Sequence, residues 1–270
     1  MSKPSILFIG AGRMAEAIIS GLHKNSYNQI NNVFITNRTN PERLQKLSEL
    51  YGAIQTQDWL ETLQEVEIVV LAIPPQAHES VLDQLKDVVT NQFIITIAAG
   101  IDPTFLEARL PADTAVGWIM PNTAAQVGHS ISLYTFGIAV TEKNKQLMNL
   151  IVNSIGSSQL CTEADIHCLT AVTGSAPAFM YQFVESLIVV TEKLGVSNEV
   201  AHKLVTEMVN GSVEMLKTGK SPIELRDQVA TPGGATEAGL EVLKESGLDS
   251  MIQNAIIVTN KKARDSKSTA

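Results

Sequence analysis

The stretch SILFIGAGRMAEAIISGL, residues 5–22, narrows the possible folds of this chain more than any other. Four apolar residues, Ile6 to Ile9, run directly into Gly10, Ala11 and Gly12, and Ala15 stands where a helix begins. An apolar run, a tight turn and a helical pattern through Met14, Ala17, Ile18, Gly21 and Leu22 predict strand, turn and helix. The spacing of Gly10, Gly12 and Ala15 is that of a dinucleotide-binding turn. The first glycine makes the turn, the second lets a pyrophosphate approach the backbone, and the small third residue keeps the helix close to the strand. Unpaired N–H groups at the helix start then face the anion. Gly10, Gly12, Arg13, Met14 and Ala15 are therefore the first expected contacts of a nucleotide cofactor. A glycine-rich turn in some other α/β protein is the alternative, and the strand before and helix after weigh against it.

Alternation continues downstream. VFIT (33–36) reads as a second strand, and a helix opening at Pro41 carries Leu44, Leu47 and Leu50 on one side. The second strand ends in Asn37, Arg38 and Thr39, with no carboxylate to accept ribose hydroxyls. A planar guanidinium at Arg38 suits a 2′-phosphate, so NADP(H) is expected in preference to NAD(H), with NAD(H) still possible. The competing role for Arg38 is an ion pair with Glu42. EIVVLAI (67–73), ended by Pro74 and Pro75, has the unbroken apolar character of a buried parallel strand. A helix over 78–88, a strand over 93–101, and strands 114–120 and 131–136 follow, then a helix over 142–153 and the segment SSQLC. Such alternation predicts a doubly wound, mostly parallel sheet whose ligands sit outside the carboxyl ends of the strands. Those ends add Ala72, Ile73, Pro74, Ala98, Ala99, Met120, Pro121 and Asn122 to the expected cofactor contacts.

From Glu163 onward the pattern is helical, over 163–173, 177–194, 198–218, 222–229, 234–245 and 248–264. The expected domains are thus 1–162, α/β and cofactor-binding, and 163–270, all-α. The helix after Pro177 has two apolar stripes, Phe179/Phe183/Leu187/Val190/Leu194 and Met180/Val184/Ile188. A surface helix needs only one, so a homodimer is expected to cover the other.

Charge and composition exclude several functions. A formal net charge of -8 with no basic patch in the body disfavours nucleic acid and anionic membranes. Lys261, Lys262, Arg264 and Lys267 form a polar tail, read as a solvated helix end. No apolar run approaches the about 18 residues of a membrane span, and a cytoplasmic protein is expected. Two cysteines, Cys161 and Cys168, fit no metal spacing and are taken as reduced packing residues; no metal is expected. The five histidines sit in no motif, so surface or packing roles are expected for each.

In LRDQVATPGGATEAGLEVL (225–243), Pro232, Gly233 and Gly234 make a turn and Ala235, Thr236 and Glu237 open a helix. That helix start is a second anion site, and the hydroxyls of Thr231 and Thr236 suit a small carboxylate bearing a hydrogen-bonding group. A helix cap with Thr236 as the capping hydroxyl is the other reading.

Taken together, IGAGRMAEAII, NRT, LAIPPQ, IAAGI, MPNTAA, TGSAPAF and the TPGGAT stretch resemble the Δ1-pyrroline-5-carboxylate reductase family, over residues 6–243 and in the family's order. The resemblance implies a Rossmann domain followed by an all-α dimerisation domain, often built into larger rings. It implies hydride transfer from NAD(P)H to the C=N bond of pyrroline-5-carboxylate, giving L-proline. It also implies that Thr231, Gly233, Gly234 and Ala235 hold the substrate carboxylate while Thr236 hydrogen-bonds the ring nitrogen. The chain departs from the family pattern at Pro74, where a lysine is usual, at Asp58 and Trp59, at Ala176, and at Thr231 in place of the turn serine. A β-hydroxyacid dehydrogenase or imine reductase is the competing enzyme. It would need a catalytic lysine or carboxylate, and Lys193 and Lys203 lie in no recognisable motif. A non-catalytic NADP(H) sensor is the competing reading from another class, and the intact TPGGAT stretch speaks against it.

Overall fold

The computed structural model describes the backbone over residues 3–267 and the side chains over 3–263, so Arg264 and Lys267 lie outside the described side chains. β1 (Ile6–Ile9) is buried at every position. It runs beside β2 (Val33–Thr36) and β4 (Ile68–Leu71), all parallel, with α1 (Arg13–Asn25) between β1 and β2 in the chain. A parallel strand covered on both faces has no solvent side, which is why these strands read as unbroken apolar runs. α2 (Pro41–Tyr51) starts where the Asn40 side chain accepts from Arg43 N–H, with Pro41 in its first turn, and leads to the two-residue β3 (Ile54–Gln55).

The sheet is completed by β5 (Phe93–Thr96), β6 (Val116–Met120), β7 (Ser130–Phe136) and β8 (Gly156–Leu160), in the order β3-β2-β1-β4-β5-β6-β7-β8. Among the described residues only the β6–β7 pair is antiparallel. Strand alternation divides the core into two layers. Ile6 and Phe8 face α1, α2 and α6 (Glu142–Ser154), whereas Leu7 and Ile9 face the side of α3 (Trp59–Thr62), α4 (His78–Leu85) and α5 (Pro103–Glu107). This is the doubly wound sheet expected. The strands stop short of their apolar runs: β5 ends at Thr96, because after Ile97 N–H makes a last bond to Leu71 O the chain turns into the strand-end loop, where Gly100 takes φ 82°. β3, α3 and α5 were not expected, each being too short to show a period.

Beyond β8 all elements are helical. Thr162 and Asp165 form a capping box at the start of α7 (Glu163–Thr170), and a π-helical turn, Ala171–Ser175, leads into α8 (Ala176–Lys193). α9 (Asn198–Leu216), α10 (Pro222–Val229), α11 (Ala235–Glu245) and α12 (Leu248–Lys267) follow. The chain divides into two compact units, Met1–Gly174 with Asn260–Ala270, and Ser175–Thr259. Strands give way to helices after Thr162, but α7 stays with the sheet. Ile166 is fully buried against Trp118, Met120 and Leu133, and Asn260 Nδ2 donates to Cys168 O at 2.9 Å. In the second unit, by contrast, Ala201 and Val205 are the buried apolar residues among those described, and Phe179, Met180, Phe183, Val190 and Leu194 are exposed.

Ile166→Ala tests whether α7 belongs to the sheet unit. It is expected to cost about 2–5 kcal/mol of that unit's stability, read as a lower denaturation midpoint with an unchanged slope.

Candidate active site

At the carboxyl ends of the strands, the order changes direction between β1 and β4, and there the glycine turn meets the end of β4. Gly10 has φ 106°, and a Cβ built on it would lie 2.3 Å from Ala72 O. Gly10 N–H donates to Thr36 O at 2.9 Å and Ala72 N–H to Ile9 O at 2.9 Å, so the turn is tied to the strand on either side. The Ile73 side chain closes the same space at 3.1 Å, and no side chain caps α1. Gly12 is the opposite of Gly10: a Cβ there would meet nothing within 4 Å, so open space lies over the helix start. Ala15 is buried and does the packing job expected of it. Free N–H groups at an uncapped helix start, with room above them, fit a pyrophosphate.

Arg13 and Arg38 flank this space, both exposed, and among the described residues neither forms an ion pair; the competing Arg38–Glu42 pair is not made. Asn37 Oδ1 accepts from Thr39 N–H at 3.2 Å, shaping the loop that carries Arg38. Arg43 is a residue the sequence reading missed. Its Nε donates to Ala11 O at 2.9 Å and its guanidinium pairs with Glu16, bracing the glycine turn from behind. The only signal was a cation in the first turn of the helix after β2; its partner lies too far away in sequence to be paired by pattern.

Around the other strand ends, Ala72 and Ile73 are half-buried and Pro74 and Ala99 are exposed. Ala98 is buried with its carbonyl accepting from Trp118 Nε1 at 2.9 Å. Met120, Pro121 and Asn122 are buried as well. Asn122 is one of the expected cofactor contacts, and its side chain also bonds within the protein. Its Oδ1 accepts from Ala124 N–H at 3.1 Å and its Nδ2 donates to Thr173 O at 3.0 Å. Pro177 has no N–H to give that carbonyl in helical fashion, so Asn122 supplies the donor that the chain lacks. His78, at the start of α4, is fully buried. Burial pushes its imidazole below the ordinary 6.5, against the opposing pull of the Pro74 and Pro75 carbonyls.

In the second unit the TPGG turn precedes α11. Gly233 takes φ 73°, which favours glycine, and a Cβ on Gly234 would crowd Thr231, lying 2.5 Å from its Oγ1 and 2.9 Å from its carbonyl oxygen. Gly234 is the N-cap and no side chain caps the helix. Thr236 is therefore not a capping hydroxyl; the hydroxyls of Thr231 and Thr236 are exposed and make no hydrogen bond among the described residues. Gly233 N–H does have a partner, the Glu237 carboxylate at 2.6 Å. The turn thus already receives a carboxylate. Ala235 and Thr236 contribute exposed backbone at the helix start.

Elsewhere, Cys161 and Cys168 are free thiols. Burial, then the Asp165 charge, raises the Cys161 thiol, which makes it a poor nucleophile. Among the described residues no group of three or more His, Cys, Asp and Glu is placed to hold a metal, and no helix is long and apolar enough to cross a membrane.

A doubly wound sheet with an open glycine turn, followed by a separate helical unit, defines the class of dinucleotide-dependent oxidoreductases. Comparison with known proteins narrows the class. Residues 163–266 match the family described as pyrroline-5-carboxylate reductase dimerisation, and residues 5–100 match NADP oxidoreductase, coenzyme F420-dependent. Pyrroline-5-carboxylate reductase 2 of Bacillus subtilis is 31% identical over 261 residues, covering 96% of this chain and 94% of that protein. The solved pyrroline-5-carboxylate reductase of Coxiella burnetii superposes with a TM-score of 0.89 at 30% identity, covering 98% of each chain. The Plasmodium falciparum pyrroline carboxylate reductase, solved with NADP bound, gives 0.86 at 28% identity over 99% of each chain. The chain belongs to the pyrroline-5-carboxylate reductase family.

Asn122→Ala separates a structural role from a cofactor role. It leaves Thr173 O and Ala124 N–H without their partner, and is expected to lower stability by about 1–3 kcal/mol while changing the NADPH dissociation constant less than about threefold. Thermal unfolding and a cofactor titration on the folded variant check this.

Proposed function

We propose that this chain reduces Δ1-pyrroline-5-carboxylate to L-proline, with NADPH preferred over NADH as donor. The observation that carries the reading is the TPGG turn. It already binds a carboxylate and, among the described residues, leaves the two threonine hydroxyls beside it without a hydrogen bond, in a chain whose other unit has an open dinucleotide turn.

Bound dihydronicotinamide supplies a hydride from its C4. The rest is the work of this chain's residues. Gly10, Gly12 and the first N–H groups of α1 hold the pyrophosphate, with Met14 and Ala15 forming the helix start beneath it. Arg13 and Arg38 pair with the 2′-phosphate, and Asn37 shapes the loop that carries Arg38. Ala72, Ile73, Pro74, Ala98, Ala99, Met120 and Pro121 line the strand ends, where Pro74 offers backbone in place of the family's lysine. Gly233, Gly234, Ala235 and Thr231 hold the substrate carboxylate, which takes the Gly233 N–H that Glu237 occupies in its absence.

A protonated cyclic imine is itself an electrophile, so the reaction asks chiefly for alignment. The hydride bonds to C5 of the ring as the C=N π pair moves to nitrogen, and the proton already on nitrogen stays there. Thr236 is a positioning hydroxyl toward that nitrogen, since a hydroxyl is a poor general acid. The second unit's exposed Phe179, Met180, Phe183, Val190 and Leu194 are the surface that a second copy covers, giving a homodimer or a ring of dimers. The cytoplasm is the expected compartment.

Oxidation of NADPH with and without pyrroline-5-carboxylate, repeated with NADH, tests the reading; no imine-dependent turnover overturns it. Thr236→Ala is expected to lower kcat about 100-fold with the NADPH dissociation constant unchanged. Arg38→Asp is expected to raise KM for NADPH about 10- to 100-fold and leave KM for NADH nearly as it was, and equal effects on both cofactors would remove Arg38 from the 2′-phosphate. Light scattering is expected to show a dimer or larger assembly.

A further inference from the structure

We propose that His78 is a positioning residue for the nicotinamide cofactor, clamping the loop after β4 to the loop after β5 so that Pro74 and Ala98 keep the spacing the cofactor requires. The inference rests on the reading that these strand ends line the cofactor site.

The geometry is a chain of three hydrogen bonds. Nδ1 of His78 lies 3.1 Å from Pro74 O, Nε2 lies 2.9 Å from Thr96 Oγ1, and Thr96 Oγ1 accepts from Ala98 N–H at 3.2 Å. A carbonyl only accepts, so Nδ1 carries the proton and donates to Pro74. Nε2 must then accept from the Thr96 hydroxyl, whose oxygen in turn takes the Ala98 N–H. The relay runs in one direction from the Ala98 N–H to the Pro74 carbonyl, which also accepts from Ala77 N–H at 3.0 Å. The two backbone groups at its ends belong to the two loops that follow β4 and β5.

Only a neutral imidazole fits this arrangement. A protonated ring has no acceptor at Nε2, which strands the Thr96 hydroxyl proton in a buried site. The titratable groups nearby are already engaged. β4 and β5 contain none between Ile68 and Leu71 or between Phe93 and Thr96. On α4, Glu79 pairs with Arg109 and Asp83 with Lys86; by α5, Asp102 binds His167 and the Phe105 N–H, and Glu107 accepts from Ile138 N–H. None of them contributes to the lowered affinity of His78 for a proton, which burial causes against the opposing pull of the neighbouring carbonyls.

A histidine that merely fills the core affects stability and nothing else; a clamp affects cofactor binding in the folded protein. The test is direct NADPH titration by cofactor fluorescence, beside steady-state kinetics, for wild type, His78→Leu, His78→Gln, Thr96→Val and the Leu/Val double variant. At pH 8 we expect His78→Leu to weaken NADPH binding about tenfold with kcat at saturating cofactor within about twofold, the loss of one relay in a buried site. His78→Gln, which keeps a polar group in reach of Thr96, is expected to recover part of the affinity. Thr96→Val is expected to match His78→Leu, and the double variant to be no weaker than either, because both break one chain.

The wild-type dissociation constant is also expected to rise as pH falls below 6.5, more steeply than that of His78→Leu, which carries whatever the cofactor's own phosphate contributes. Without cofactor, wild-type thermal stability is expected to decline over the same range, because the unfolded chain takes up the proton first, and the Leu variant is expected to lack that decline. If folded variants bind NADPH within twofold of wild type at every pH, or if the two single effects add, the proposal is overturned. If the Leu variant does not fold, the Gln and Val variants decide by the same criteria. Wild-type protein that binds no NADPH would instead overturn the cofactor reading itself.

Discussion

Everything in the first unit depends on one close approach, the backbone of Gly10 against the carbonyl of Ala72. The contact leaves no room for a Cβ and holds Gly10 at φ 106°. It lets β1 turn sharply into α1 at the place where the sheet order reverses, so that the uncapped start of α1 points over the ends of the strands. A side chain at Gly10 would push the turn away from β4 and close the space that Gly12 keeps open. Arg43 holds the same turn from the other side through Ala11 O.

Around that space, the polar side chains divide by task. Those at the strand ends are spent on the protein itself: Asn122 on Thr173, Trp118 on Ala98, His78 and Thr96 on each other and on two backbone groups. What remains for a ligand is backbone and two exposed arginines. The second unit follows the same logic at the TPGG turn, where the glycine N–H groups bond to the Glu237 carboxylate and Thr231 O and, among the described residues, the threonine hydroxyls make no hydrogen bond. Hydride transfer to an activated imine suits such a protein, because alignment and charge pairing do most of the work and no strongly acidic or basic side chain has to be kept ready.

Much of this was legible in the chain. Buried parallel strands have continuous apolar runs, amphipathic helices have a period, and the glycine turns at Gly10 and Gly233 have fixed spacings, so strands, helices and both glycine turns stood out. Elements too short to carry a period, such as Ile54–Gln55 and Trp59–Thr62, did not. Nor did the break between units. Composition changes after Thr162, but compactness follows Ile166 into the sheet's core, and no composition rule reports which core a single isoleucine enters.

By itself the sequence determined the doubly wound sheet, the all-helical remainder, the dinucleotide turn and the family, because each rests on local spacing or on a run of neighbouring residues. Only the tertiary structure decided that Asn122 serves Thr173, that Arg43 braces Ala11, that Glu237 sits on Gly233 and that His78 joins two loops. Three of these four partnerships join residues far apart in sequence, where no pattern predicts pairing. The fourth, one helical turn long, depends on the direction of a single N–H that Gly233 sets through its left-handed backbone.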